Sequence, residues 1–284
     1  MLTGSGRGET ISPPPVGAPD DGWIGEKLWR PRALPLCVYA LGLLPVQWLT
    51  GLEPAAYPFV YAAQCAVAMW VVWHHRKLLP ELTLTVHWLA VPVGLIAAWA
   101  WVELGVWMAE AWPAAFGHEG HTAFEDMSGG VRWVSLSLRL AGMSLVVPIV
   151  EELFFRSLVL RSCTRARPTF GGVWRWFREV FLGGRPGEDD DSEETPFERS
   201  FRQTPLGRLT VFSVVFMALL WAVAAHFPRD WPGTIACGLL YCLILWATNT
   251  GRRRCGLGPV IWAHGVTNAA LWVYTIYTND WRFL

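Results

Sequence analysis

The sequence predicts an all-α protein, a polytopic bundle of about seven to eight transmembrane helices. Apolar residues make up 53% of its 284 residues and charged residues only 16%, against about 25% charged in an ordinary soluble domain. The charges are clustered, which leaves long stretches almost free of them. Nineteen Trp are present, many near the ends of those stretches, where amphipathic rings favour the headgroup layer. Disorder over most of the chain and a highly charged soluble domain are both excluded. With 23 basic and 23 acidic residues, bulk charge does not recruit nucleic acid.

Residues 1–30 read as a flexible cytoplasmic tail. Their first 22 are rich in Gly and Pro and lack the apolar run of a cleaved signal peptide. The integral membrane domain is expected over 31–284. A hydrocarbon core about 30 Å thick takes roughly 20 apolar residues per helix. Seven segments qualify: 33–51, 56–73, 86–108, 132–161, 209–227, 232–249 and 256–277. Trp29, Trp48, Trp73, Trp112, Trp231 and Trp281 stand near their ends.

Basic residues sort the loops. Arg30 and Arg32 precede the first segment, Arg76 and Lys77 follow the second, nine Arg from Arg161 to Arg208 follow the fourth, and Arg252, Arg253 and Arg254 follow the sixth. The alternate loops are poor in Lys and Arg, so the positive-inside rule predicts a cytoplasmic N-terminus and an external C-terminus. The insert 162–208 is the one sizeable soluble stretch. Its FGGVWRWFREVFLGG suits a helix in the headgroup plane. EDDDSEE at 188–194 reads as solvated linker or, alternatively, as a partner-docking site. The six cysteines form no CxxC pair and read as small buried hydrophobes.

The informative residues are ionisable groups inside the apolar segments, each costing at least about 2.5–3.5 kcal/mol at the bilayer centre. VVPIVEELFFRSLVL holds Glu151, Glu152 and Arg156 within six residues. Glu152 and Arg156 are four apart on a helix and can neutralise one another. Glu151 points about 100° away with no local partner, so it takes up a proton or faces a wet cavity, either of which suits proton transfer. His226 ends the fifth segment. In GPVIWAHGVTNAALW, His264 and Asn268 share one helix face, and Gly265 and Ala269 permit a close neighbour. Read singly, each is also an ordinary interhelical polar contact. Together they hold the parts of a hydrolytic centre. GxSxG and HExxH are absent, Ser157 lacks the glycines of a nucleophile elbow, and HEGH at 118–121 sits in an external loop.

EELFFR matches EExxxR, a His follows on a later helix, and AHGVTN matches HxxxN. In this order, over about 132–277, the set resembles the CPBP (Abi/CAAX protease) family of intramembrane endopeptidases, which includes type II CAAX prenyl endopeptidases. More loosely, the Trp-rich chain is similar to members associated with exosortase systems. The resemblance implies a prokaryotic cytoplasmic-membrane hydrolase acting on a membrane-associated protein or peptide. It implies that Glu151 is the base activating water, that His226 helps hold that water, and that His264 and Asn268 steady the oxyanion. Glu152 and Arg156 are the orienting partners. No cofactor is required by that set, and the alternative is zinc on Glu151, His226 and His264.

The family's second motif is FxxxH, and here Ala222 stands in the aromatic's place, with Trp221 beside it. The insert 162–208 also separates the first two motifs by an unusually long stretch. One conflict stands: as one straight helix, 132–161 would span about 45 Å, placing Glu151 at mid-depth and His226 near the outer surface. Pro148 is expected to break or kink it. The alternative functions are a non-proteolytic membrane scaffold or immunity protein, and a transporter or proton relay, for which the chain shows no internal symmetry.

Overall fold

In a computed structural model the chain is described over residues 29–116, 124, 127–166, 168–183, 201–251 and 254–283. The tail up to residue 28, HEGH and EDDDSEE lie outside the described residues. The helices are α1 Arg30–Leu52, α2 Tyr57–His74, α3 Ala90–Ala111, a long rod α4 over Gly129–Cys163, α5 Phe170–Phe177, α6 Val211–Ala225, α7 Trp231–Asn249 and α8 Gly258–Thr278. No strand occurs among the described residues. Each of the seven apolar segments lies on a helix, and α5 falls in the insert. Five spans are long and apolar enough to cross a membrane, with α6 shorter at 15 residues. The protein is an integral membrane helix bundle.

Within the bundle α3 packs along both α7 and α8, α1 along α2, and α6 along α7. Without a hydrophobic drive between helices in lipid, close backbone approach supplies the attraction. A Cβ at Gly94 of α3 would stand 2.5 Å from the Ala263 carbonyl oxygen of α8. Of the cysteines, Cys163, Cys237 and Cys242 are buried as expected, Cys65 and Cys255 are half-buried, and Cys37 is exposed.

The expected break at Pro148 does not occur. The rod runs through it, 35 residues in all, about 52 Å if regular at 1.5 Å per residue. Its irregularity is different in kind. Residues Gly142–Val146 form a π-helical turn in which the Val147 N–H donates to the Gly142 carbonyl, five residues back. That bypasses the Met143 carbonyl. Pro148 has no N–H for the carbonyl four residues before it, that of Ser144. Two backbone acceptors are thereby released on neighbouring residues, and buried carbonyls need partners or contacts elsewhere. Both meet α8: Asn268 Nδ2 donates to the Met143 carbonyl at 2.6 Å, and Gly265 lies so close that a Cβ there would collide with the Ser144 carbonyl oxygen. The rod is widened again over Leu153–Leu160.

The local sequence also fixes where α6 stops. Thr210 caps its start reciprocally with Ser213. At its other end Pro228 favours an extended Phe227 (φ −71°, ψ 154°). His226 is already extended at φ −136°, ψ 155°. The imidazole is thus carried on the helix terminus.

At the far end of the rod an ionic clamp joins four parts of the chain. Arg32 of α1 pairs with Glu81, from the α2–α3 connection, through Nε–Oε1 at 2.5 Å and Nη2–Oε2 at 2.9 Å. Ser157 of α4 donates to Glu81, and Arg161 lies 3.8 Å from the same carboxylate. Arg161 Nε also donates to the Thr204 carbonyl at 3.0 Å, tying in the end of the insert. Arg32 and Arg161, read from sequence as loop charges, are structural here. Ser157 is fully buried in this clamp.

Burial opposes ionisation of Glu81, but Arg32, the Ser157 hydroxyl and Arg161 outweigh it and hold the carboxyl below its ordinary value. The clamp's stabilisation is therefore complete above the unfolded carboxyl's range of about 4.3, and is lost as pH falls through the depressed folded value. Thermal unfolding in detergent should show Glu81→Ala destabilised by about 3–5 kcal/mol at pH 7, as for a broken buried pair. Glu81→Gln should flatten the acid dependence of Tm, and an unchanged slope would remove Glu81 as its source.

Candidate active site

Two adjacent carboxylates on α4 diverge to different neighbours. Glu151 faces α6, where Trp221 Nε1 donates to its Oε2 at 2.8 Å. Glu152 faces α8, with its Oε1 2.8 Å from His264 Nδ1. Its Oε2 lies 3.1 Å from Arg156 Nε, one turn along the same helix. Exposure separates them: Glu151 keeps 9% of its surface, whereas Glu152 and Arg156 keep none. The two acids sit in different surroundings although they are neighbours in sequence.

Arg156 is enclosed by aromatic faces, 4.1 Å from the Trp221 ring centroid and 5.2 Å from that of Tyr241. A desolvated guanidinium over such faces gains about 2 kcal/mol or more. This complements its ion pair. Tyr241 is held by donating to Thr267 Oγ1 at 2.6 Å, and the single Thr267 hydroxyl hydrogen is shared between the Gly94 and Ala263 carbonyls, both at 3.0 Å. The aromatic wall on α7 is therefore keyed to α3 and α8.

Trp221 is the common neighbour of the motif residues. Besides bonding Glu151 and covering Arg156, its ring meets His226 edge-on at 5.5 Å and His264 edge-on at 5.6 Å. His226 is half-buried between Trp221 and Trp101 of α3, the latter at 5.0 Å. Trp231 Nε1 donates to the His226 carbonyl at 3.2 Å, which anchors its backbone. The His226 Nε2 is enclosed and has no hydrogen-bond partner among the described residues. Glu152 Oε2 and the three Arg156 nitrogens likewise lack hydrogen-bond partners among the described residues, their contact being an ion pair.

Glu151, His226 and His264 thus converge around one indole despite their separation along the chain, and the conflict over depth is met without a broken helix. Asn268 stands one turn beyond His264. One amide hydrogen goes to the Met143 carbonyl, and the amide has a second to offer. The contact of His264 with Glu152 through Nδ1 likewise leaves Nε2 as its other nitrogen. Among the described residues no three His, Cys, Asp or Glu side chains are grouped to hold a metal ion. Two atoms of the zinc alternative, Glu151 Oε2 and His264 Nδ1, are already engaged with protein groups.

Sequence reasoning missed three things. In the sequence Trp221 merely stands beside the vacant aromatic position, although of Phe, Tyr and Trp it alone carries an N–H donor. The bond between Glu152 and His264 joins residues 112 apart, which no local spacing reveals. Tyr241 carried no signal within its apolar segment.

A family model described as type II CAAX prenyl endopeptidase Rce1-like matches residues 133–270. The matched stretch contains all six motif residues. No curated relative and no solved structure matches the chain.

Removing Glu152 leaves Arg156 as an uncompensated buried charge, whereas removing Asn268 exposes only a carbonyl to an unsatisfied site. Thermal unfolding in detergent should therefore rank Glu152→Ala, at about 3–5 kcal/mol, above Asn268→Ala, at about 1–3 kcal/mol. The reverse order would show that the Glu152 carboxylate is not what holds α4 to α8.

Proposed function

We propose, from the match of residues 133–270 to the Rce1-like family model of type II CAAX prenyl endopeptidases, that the chain is an intramembrane glutamate-type endopeptidase. It hydrolyses a peptide bond of a membrane-associated protein or peptide, from a membrane in which its N-terminus is cytoplasmic. The observation that carries this reading is the convergence of Glu151, His226 and His264 around Trp221, on three helices far apart in sequence.

Glu151 is the general base. Its carboxylate takes a proton from water, and the oxygen of that water attacks the scissile carbonyl carbon. His226 orients the water. The resulting oxyanion is steadied by His264, through the nitrogen not facing Glu152, and by the second amide hydrogen of Asn268. Donors fixed in a low-dielectric site stabilise developing charge without having to reorganise. Glu151 then passes the proton to the leaving nitrogen, the C–N bond breaks, and a carboxylic acid and an amine result, the acid then giving its proton to the amine. Glu152 and Arg156 hold the imidazole and the indole in place without contacting the reacting atoms.

The test uses protein purified in detergent and a fluorogenic farnesylated CAAX peptide, with membrane proteomics of cells carrying the intact or the Glu151→Gln protein. Glu151→Gln and Glu151→Ala should lower cleavage by about a hundredfold to ten-thousandfold, the contribution of a general base, and His226→Ala should abolish most of it through the misplaced water, all at unchanged membrane abundance. Variants that cut normally would overturn the assignment. Full biological activity in Glu151→Gln would replace it with a non-proteolytic scaffold.

A further inference from the structure

Trp221 occupies a position that the family motif does not reserve for it. The FxxxH pattern places its aromatic four residues before the His, where this chain has Ala222. A phenyl ring at 222 could fill space but could not donate a hydrogen bond. The residue one step earlier does both: Trp221 is 1% exposed and donates its indole N–H to Glu151 Oε2 at 2.8 Å. Among the described residues this is the one hydrogen bond that Glu151 receives.

The indole is fixed from every side. Arg156 covers one face at 4.1 Å, His226 and His264 meet it edge-on, and Phe155 and Tyr241 lie tilted at 6.0 and 5.9 Å. A ring so enclosed has no rotamer freedom to lose, so its single N–H is aimed in advance. The guanidinium above it draws density from the π system and strengthens that N–H as a donor. Arg156 thereby acts on Glu151 without touching it.

We propose that Trp221 is a positioning residue for Glu151, its N–H pinning one carboxylate oxygen so that the other is presented to the attacking water. This rests on Glu151 being the base of the proposed endopeptidase. It assigns to this chain a polar anchor in place of the apolar aromatic of the motif.

Trp221→Phe keeps an aromatic ring but removes the donor together with part of the indole volume. Replacement of Trp221 by benzothienylalanine, a Trp isostere with sulfur in place of the N–H, keeps the full bicyclic volume and serves if the Phe variant does not fold. With the farnesylated CAAX peptide, kcat per folded enzyme should fall about ten- to a hundredfold, the worth of a hydrogen bond to a charged group, with KM within about twofold and the fold retained at the assay temperature. Independently of turnover, the infrared carboxyl band that disappears in Glu151→Gln should move to higher frequency once the donor is gone. Parent-like kcat with an unmoved band would overturn the proposal, as would a loss confined to KM or Tm. If the parent protein fails to cleave the peptide, the proteomic comparison decides the endopeptidase reading and the band alone decides whether Trp221 holds Glu151.

Discussion

The Glu152 carboxylate is the constraint on which the polar centre depends. A carboxylate removed from water loses several kcal/mol of solvation even after relaxation, and Glu152 is sealed completely. It persists because one oxygen is hydrogen-bonded to His264 and the other is ion-paired, without a hydrogen bond, to Arg156. The first contact fixes the rotation of α8 against the rod. The second holds a guanidinium between Trp221 of α6 and Tyr241 of α7. One side chain therefore sets the relative placement of four helices, and the surroundings of Glu151 follow from that placement.

Backbone chemistry makes the same crossing possible. In hydrocarbon every peptide group must find a partner inside the protein, so an irregular membrane helix is tolerated where a neighbour re-satisfies it. The π turn before Pro148 releases carbonyls on the side that faces α8. Asn268 binds one, and the absent side chain of Gly265 lets the other come near. HxxxN is thus doing two jobs in this chain: it carries two polar groups into the bundle, and its last residue fastens the helix that bears EExxxR. A spacing that reads as chemistry is also a packing device.

What could be read in advance followed from local rules. The seven helices were legible because hydrocarbon thickness sets a length and charge avoidance sets the ends. The polar triplet at Glu151, Glu152 and Arg156, the terminal His226, and the pair His264 and Asn268 stood out because each is costly in an apolar run. What could not be read was direction. Pro148 announces a missing hydrogen bond but not whether the helix kinks, breaks or widens, since the answer lies in Gly265 and Asn268 some 117 to 120 positions away. Arg32 and Arg161 looked like loop charges because nothing near them in sequence discloses Glu81. Trp221 looked like one Trp among nineteen.

The two adjacent acids show how one helix can place neighbouring carboxylates in different surroundings. Consecutive residues on a helix point about 100° apart, so Glu151 and Glu152 meet different neighbours by geometry alone. Glu152 meets an imidazole and a guanidinium and is closed off. Glu151 meets one N–H donor and keeps a sliver of access. A base that must exchange protons with water cannot also be the group on which the bundle is assembled, because each protonation would then loosen the helix contacts. Placing the structural charge on the next residue removes that conflict. The polar anchor at Trp221 then holds the proposed base from the side, through a group that has no proton to exchange in the working range.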